Sequence, residues 1–175
     1  MILSGPVWKI GDNISTDHIL PSRYMTEIEP EELAAHCLAG VDPELAGRVQ
    51  PSSILVAGEN LGYGSSREQA PHALKHCGFR AVIAKTFARI FYRNCYNIGL
   101  PAIICQEFVE EVSAGDRVTV DLAKGTLRNE TIKRIYHFTR PPGFLLDYVH
   151  AGGLIPYLRE RVSAEGTAFS NPNRR

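Results

Sequence analysis

A glycine-rich turn at Gly58–Ala70 constrains the fold of this chain more than any other segment. It follows Ile54–Ala57, a short apolar run typical of a buried strand, and it leads into Ala70–Lys75, which has the composition of a helix. Three glycines within the turn permit backbone conformations that are closed to other residues. The segment therefore predicts a strand-to-helix connection whose side chains gather at the carboxyl end of a strand.

The rest of the chain repeats this pattern of short apolar runs and amphipathic segments. Strands are predicted at Val7–Ile10, Ile54–Ala57, Ala81–Ala84 and Ala102–Cys105, and helices at 30–39, 70–77, 87–98, 145–150 and 154–162. Beyond Gly115 the apolar residues alternate, which predicts a C-terminal β-hairpin from Asp116–Leu122 and Thr126–Ile135. We therefore expect one α/β domain over residues 1–162, with a mostly parallel central sheet flanked by helices, and a flexible tail at 163–175.

The charge balance and the cysteines narrow the classes of function. With 19 basic and 19 acidic residues, no global field favours nucleic acid. No apolar run approaches the roughly 20 residues of a membrane span and no basic leader is present, so we expect a cytoplasmic protein without membrane contact. The four cysteines are widely spaced and form no C-x-x-C pair, so this chain is not expected to hold a metal or cluster by itself.

Two phosphate-binding patterns fail at the glycine-rich turn. A P-loop requires a Gly-Lys pair that the segment lacks, and a dinucleotide turn would place Arg67 where a small residue must pack. Serine capping remains open, because Ser65 with Glu68 and Ser66 with Gln69 both fit a capping box. Arg67 favours a functional role instead, since a cation in the first turn of a helix is unfavourable unless an anion, such as a substrate carboxylate, shares the site.

Two other polar groups are ambiguous. Asp17 and His18 suit an acid–base pair, but they equally suit a turn with its own hydrogen bonds, which is the preferred interpretation for His18. The helix at 87–98 and Lys85, two residues before it, carry a cluster that suits either a solvated face or the rim of an anionic site. That cluster consists of Lys85, Arg89, Arg93 and Asn94.

Three ordered motifs then carry a family resemblance. The turn resembles the Gly-Ser-Ser-Arg-Glu signature of the swivelling β/β/α domain of the aconitase superfamily, in particular that of 3-isopropylmalate dehydratase small subunits. Asp12–Pro21 is similar to their amino-terminal D-x-x-x-T-D-x-I-x-P motif, and Ala84–Pro101 is similar to their A-K-S-F-A-R-I-F motif and the residues after it. The likeness extends from about Val7 to Arg161.

The resemblance implies a division of chemistry between two chains. A large partner subunit, in a heterodimer or heterotetramer, would carry a [4Fe-4S] cluster whose open iron acts as a Lewis acid on the leaving hydroxide. By motif position Ser65 would be the catalytic base, Ser66 and Arg67 would bind a carboxylate of a hydroxy-dicarboxylate substrate, and Asp17 would support the site. The implied activity is a hydro-lyase that interconverts 2- and 3-isopropylmalate in leucine biosynthesis.

The resemblance also places substrate preference in the loop Ser22–Glu29. Aconitase-like members carry an arginine soon after the aromatic residue, whereas this loop has no basic residue after Tyr24, which favours an alkyl substituent. Arg23 leaves homoaconitate or another alkylmalate open as a substrate, and a non-catalytic binding module of the same fold is a further alternative. The expected specificity residues are Arg23, Tyr24, Met25 and Thr26.

Overall fold

One seven-stranded sheet organises the chain in the computed structural model, which describes residues 1–27 and 29–168. The strands are β1 (Ile2–Lys9), β2 (Ser53–Ala57), β3 (Phe79–Ala84), β4 (Ala102–Ile104), β5 (Arg117–Asp121), β6 (Thr126–Asn129) and β7 (Arg134–His137). The helices are α1 (Thr16–Ile19), α2 (Pro30–Ala35), α3 (Gln69–Cys77), α4 (Arg89–Asn97), α5 (Gln106–Glu111), α6 (Gly143–Ala151) and α7 (Leu154–Ala168). Single 3₁₀ turns lie at Ser22–Tyr24 and Ala46–Arg48.

The sheet runs in the order β4-β3-β2-β1-β5-β6-β7 and changes character at β1. The four strands from β4 to β1 are parallel, as the alternation of apolar runs and helical segments predicted. The strands from β5 to β7 are antiparallel to their neighbours. The expected α/β class, with helices flanking the sheet, is confirmed.

Strand β1 joins the two parts because its two halves pair differently. Val7–Lys9 pairs in parallel with β2, whereas Ile2–Pro6 pairs antiparallel with β5. At Gly5 a Cβ atom would lie 1.8 Å from the carbonyl oxygen of Ser52, so no larger residue fits without moving the backbone. The strand begins earlier than the predicted Val7–Ile10. Its first half was missed because Gly5 and Pro6 interrupt the apolar pattern.

The core is deepest around the parallel strands. Every residue of β2 is buried, and so are the side chains of β3 apart from Arg80. These strands are apolar on both faces, which is expected of parallel strands covered on both sides. Burial in the antiparallel part alternates instead, as in β5, where Val118 and Val120 are buried between more exposed neighbours.

The antiparallel part and the C-terminus differ from the expected pattern. We predicted a hairpin with its second strand over Thr126–Ile135, but the chain turns within that range and adds β7 to the same sheet. Asn129 enforces this turn, because its Oδ1 accepts the backbone N–H groups of Thr131 and Ile132. The predicted tail boundary at residue 163 falls within α7, which continues to Ala168, and residues 169–175 lie outside the described residues.

None of the helices within the described residues combines the length and apolar character needed to cross a bilayer.

Candidate active site

The glycine-rich turn lies at the carboxyl ends of β1, β2 and β3. Gly58 immediately follows β2, donates its N–H to Gly11 O at 3.1 Å and accepts the N–H of Lys85 at 3.1 Å. Further along, Gly62 donates its N–H to Ile14 O at 2.6 Å. The turn is therefore fixed between the loops that leave the two neighbouring strands, where ligands gather in parallel sheets.

Contacts with neighbouring residues require glycine at two positions of the turn, Gly58 and Gly62. A Cβ at Gly58 would lie 1.6 Å from Oδ1 of Asp12, the atom that accepts the N–H of Glu59. Gly62 has φ +80°, and its Cβ would lie 2.0 Å from the ring of Phe91. The close approach of the turn to Asp12 and to α4 therefore depends on the absence of side chains at these two positions.

Ser65 and Ser66 are exposed, and both line a cavity of about 260 Å³. The backbone N–H of Ser65 donates to Oγ1 of the buried Thr16 at 3.2 Å. The backbone carbonyl of Ser66 accepts from Nδ2 of Asn94 at 3.2 Å. Side chains from two other segments therefore hold the main chain of both serines. The cavity is lined by Gly62, Gly64, Ser65, Ser66, Ala88, Arg89 and Ile90.

Arg67 lies beneath this surface with a side chain only 8% exposed. Its Nη2 is 2.5 Å from Oδ1 of Asp17, and its Nη1 donates to Leu20 O at 3.4 Å. The hydrogen bond from Arg67 is the main reason that the pKa of Asp17 lies below its usual value. Within the described part of the chain Nε is buried without a hydrogen-bond partner. The anion that Arg67 was expected to need is thus supplied, in this structure, by Asp17.

The serine caps suggested by spacing are absent. Helix α3 begins at Gln69 after Glu68, and no side chain caps its amino end. Pro71 explains the late start, because proline lacks an N–H group and is tolerated in an α-helix only in the first turn. Ser65, Ser66 and Arg67 consequently precede the helix, and the argument that placed Arg67 in its first turn was wrong.

The short helix α1 explains the Asp17–His18 segment. Ser15 caps it: its Oγ accepts the N–H of His18 at 3.1 Å, and its own N–H donates to Nδ1 of His18 at 3.1 Å. His18 is therefore engaged in a turn, which is the interpretation that the sequence favoured. Thr16, which holds Ser65, was missed, although its position beside Asp17 in the amino-terminal motif could have indicated it.

The four residues of the cluster predicted at α4, Lys85, Arg89, Arg93 and Asn94, lie in different environments. Arg89 lines the cavity with the two serines, and Asn94 supports Ser66. Lys85 instead forms a salt bridge to Glu110 at 3.0 Å. Arg93 is exposed. Only part of the predicted rim therefore reaches the candidate site.

The predicted specificity loop rests on α2. Its Ser22–Tyr24 turn stacks the ring of Tyr24 on the ring of His36 at 3.6 Å with an interplanar angle of 6°. The guanidinium of Arg23 also lies over the ring of Tyr24, 4.9 Å from its centroid. Met25 and Thr26 are exposed. Sequence reasoning missed His36, because no spacing rule links it to Tyr24.

Comparison with known proteins relates this site to one family. Residues 13–107 match the family model described as the aconitase C-terminal domain. A 3-isopropylmalate dehydratase small subunit of Caldicellulosiruptor saccharolyticus is 50% identical over 165 residues, which cover 94% of this chain and 95% of that protein. An isopropylmalate/citramalate isomerase small subunit of Methanocaldococcus jannaschii is 46% identical over 93% of this chain and 96% of its own.

A solved structure agrees with these relatives. The crystal structure of a 3-isopropylmalate dehydratase from M. jannaschii superposes with a TM-score of 0.91 at 43% identity and covers 96% of this chain and 99% of its own. The similarity thus includes both the parallel and the antiparallel parts of the sheet.

Proposed function

The chain belongs to the family of the aconitase C-terminal domain, and we propose that it is the small subunit of a two-chain hydro-lyase that interconverts 2- and 3-isopropylmalate. This activity is a dehydration followed by rehydration in leucine biosynthesis, and we place it in the cytoplasm. The relatives at 46–50% identity support the proposal because they carry that activity in their names and match this chain over nearly its full length.

One observation carries the assignment: Ser65 and Ser66 are exposed on a cavity while their main chain is held by Thr16 and Asn94. Ser65 is then the base that removes the proton next to a carboxylate. A serine hydroxyl acts in this way only if its alkoxide is stabilised, and Arg89, which lines the same cavity, supplies a positive charge for that purpose. The supporting hydrogen bonds keep the hydroxyl in place without consuming it.

Arg67 and Ser66 bind a substrate carboxylate in this proposal. Asp17 occupies Nη2 of Arg67, but Nη1 is only weakly bonded and Nε has no partner among the described residues. A buried donor without a partner costs about 1–3 kcal/mol. A carboxylate that reaches the guanidinium recovers this cost, and Asp17 keeps the arginine in position until it arrives.

The remaining chemistry belongs to a large partner subunit. Hydroxyls and a guanidinium suit a carboxylate, whereas iron–sulfur clusters are held by thiolates. We therefore place a [4Fe-4S] cluster in the large subunit of a heterodimer or heterotetramer, where its open iron supplies Lewis-acid assistance to the leaving hydroxide. This chain contributes the base and the carboxylate contacts.

The specificity loop favours an alkyl-substituted malate. Arg23 is placed over the ring of Tyr24, and Met25 and Thr26 offer no positive charge to a third carboxylate. The name of the M. jannaschii relative includes citramalate, which favours a range of alkylmalates rather than isopropylmalate alone.

Reconstitution tests the proposal directly. The purified chain is mixed without oxygen with the large subunit, and the absorbance of the carbon–carbon double bond is followed: it should appear as isopropylmalate or citramalate loses water, and it would disappear if homoaconitate, which is already unsaturated, were hydrated. We expect activity only in the mixture and a preference for the alkylmalates. Iron-dependent absorbance in this chain alone would contradict the two-chain assignment. Preference for homoaconitate would replace the substrate, and a stable complex without turnover would indicate a non-catalytic module.

A further inference from the structure

A second cavity carries basic side chains and has no role in the proposed reaction. Its volume is about 460 Å³, within the range of small-molecule sites. Two lysine or arginine side chains and two histidines line it, namely Lys75, Arg80, His76 and His150. No aspartate or glutamate is among the described residues of its lining. We call it the basic cavity, and its excess of positive charge indicates an anionic ligand.

The basic cavity is distinct from the site of the serines. Phe79 is the first residue of β3 and Pro101 directly precedes β4, so this cavity lies at the amino ends of the parallel strands. The serines lie at the carboxyl ends of those strands. Helix α3 separates the two sites, because it begins at Gln69 beside the serine turn and contributes Lys75 and His76 from its last turn. The two cavities share no lining residue in the described part of the chain.

The inner wall of the basic cavity is apolar. Four of its side chains belong to the buried core, those of Leu3, Phe79, Leu100 and Val149. The wall closes at Gly99, which has φ +76° and where a Cβ would lie 2.5 Å from the carbonyl carbon of Gly152. The loop after α4 and the end of α6 therefore meet main chain to main chain. The cavity thus combines an apolar interior with basic groups, which suits a ligand that is itself part apolar and part anionic.

Lys75 is held in place by the main chain. Its Nζ donates to Ile98 O and, at 2.9 Å, to Gly152 O, which leaves one of its three donors for a ligand. Burial, and after it the charge of Arg80, lower the pKa of Lys75. An anion between these two cations would offset both causes.

Arg80 and His150 have donors to offer. Both are exposed, and within the described residues neither makes a side-chain hydrogen bond or an ion pair. Other arginines of the chain are paired with carboxylates, as Arg48, Arg128 and Arg134 are. A guanidinium that lines a cavity without a carboxylate can place its planar fork on two oxygens of a ligand.

We propose that the basic cavity binds a phosphate monoester that carries a compact apolar group. A phosphate monoester has three terminal oxygens and about −1.5 to −2 charge at pH 7, so it can accept from Lys75, Arg80 and His150. A carboxylate has two oxygens and half of that charge. The apolar group of the ester packs against the buried wall, where it leaves water.

Isothermal titration calorimetry of the full chain with phenyl phosphate tests the proposal. We expect saturable binding of one ligand per chain. Methyl phosphate should bind about tenfold more weakly, because it buries less apolar surface. Benzoate should also bind about tenfold more weakly, because it keeps the ring but offers only a carboxylate. Benzoate binding as tightly as phenyl phosphate would refute the choice of ligand, and methyl phosphate binding as tightly would refute the role of the apolar wall.

Variants locate the contacts. Arg80→Gln should weaken phenyl phosphate binding at least about tenfold, since it removes a charged hydrogen-bond donor. Arg117→Gln is the matched control, because Arg117 is an exposed arginine of β5 outside the cavity and the change in charge is the same. His150→Gln is a second exposed lining position and should weaken binding in the same direction. Equal affinities in the Arg80 and Arg117 variants would overturn the proposal.

Amide chemical shifts decide between the two anion-binding regions of the chain. Phenyl phosphate should shift the signals of Gly99, Leu100 and Gly152 and leave those of Ser65 and Ser66 unchanged. Shifts at the serines alone would place the ligand in the candidate active site and overturn the proposal.

The titration is repeated with the large subunit bound, and we expect the same affinity. Loss of binding in that complex would assign the basic cavity to the contact between subunits, against a ligand site. The measurements on the full chain alone need no turnover, so a failure of the hydro-lyase assignment would leave their outcome intact.

Discussion

Replacing Asp17 with asparagine isolates the ion pair that holds Arg67. Asparagine keeps the shape and an acceptor but removes the charge opposite a guanidinium that is only 8% exposed. Removing one partner of a buried pair costs about 3–5 kcal/mol, and a hydrogen bond to a charged group contributes about 1.5–3 kcal/mol. Because the Asp17 side chain is itself 55% exposed, water replaces part of this interaction. We therefore expect the free energy of unfolding of Asp17→Asn to fall by about 1.5 kcal/mol.

Urea unfolding at neutral pH, followed by circular dichroism, measures this loss in free energy. In a thermal melt of the same variant, Tm should fall by about 3–6 °C. Asp42→Asn is the matched control, because Asp42 pairs with Arg48 where both side chains are well exposed, at 40% and 55%. The free energy of unfolding of that variant should fall by less than about 0.5 kcal/mol.

The pH dependence gives a second check on the Asp17 variant. The pKa of Asp17 is lowered in the folded chain, so its charge stabilises the fold fully above the unfolded value of about 3.9. That contribution disappears as the pH falls through the lower folded pKa. The gap between the unaltered chain and Asp17→Asn should therefore close under acid conditions. Equal losses in the Asp17 and Asp42 variants, or a gap that ignores pH, would refute the buried-pair reasoning.

The other predictions concern the turn itself. Ser65→Ala should leave assembly with the large subunit intact while turnover falls by about 10²–10⁴-fold, as expected for a lost base, and near-normal turnover would remove Ser65 from that role. Arg67→Lys keeps the charge but loses the planar fork, so KM should rise more than kcat falls; an unchanged KM in steady-state assays would rule out carboxylate binding. Gly62→Ala must place a methyl group into Phe91 at positive φ, and we expect a loss of at least about 2 kcal/mol in urea unfolding, against no comparable loss for Gly11→Ala, where a Cβ meets nothing within 4 Å.

The sequence predicted the parallel part of the fold well because its signals are local. Uninterrupted apolar runs such as Ile54–Ala57, followed by helical periodicity, are determined by burial within a few residues. The end of α3 at Gly78 was equally readable, since this residue takes a left-handed conformation after the helix. The sequence thus predicted those elements whose conformation depends on residues close to them in the chain.

The site was less predictable because it depends on contacts between distant segments. The glycines and serines of the turn were evident, and Asn94 was named in the cluster at α4, but Thr16 and His36 act across the fold and were not predicted. The position of Arg67 was misjudged for a local reason, namely that Pro71 delays the start of α3. Its pairing with Asp17 then arises only when two loops meet at the sheet edge.

The split pairing of β1 also sets an order for folding. Ser4 contacts Thr119 across 115 positions of sequence, so the first half of β1 has no partner until β5 has been synthesised and has closed a very long loop. The second half of β1 pairs with β2 far earlier along the chain. A chain growing from its amino end therefore carries a half-finished strand with an open edge, and that edge is where premature association with other chains begins.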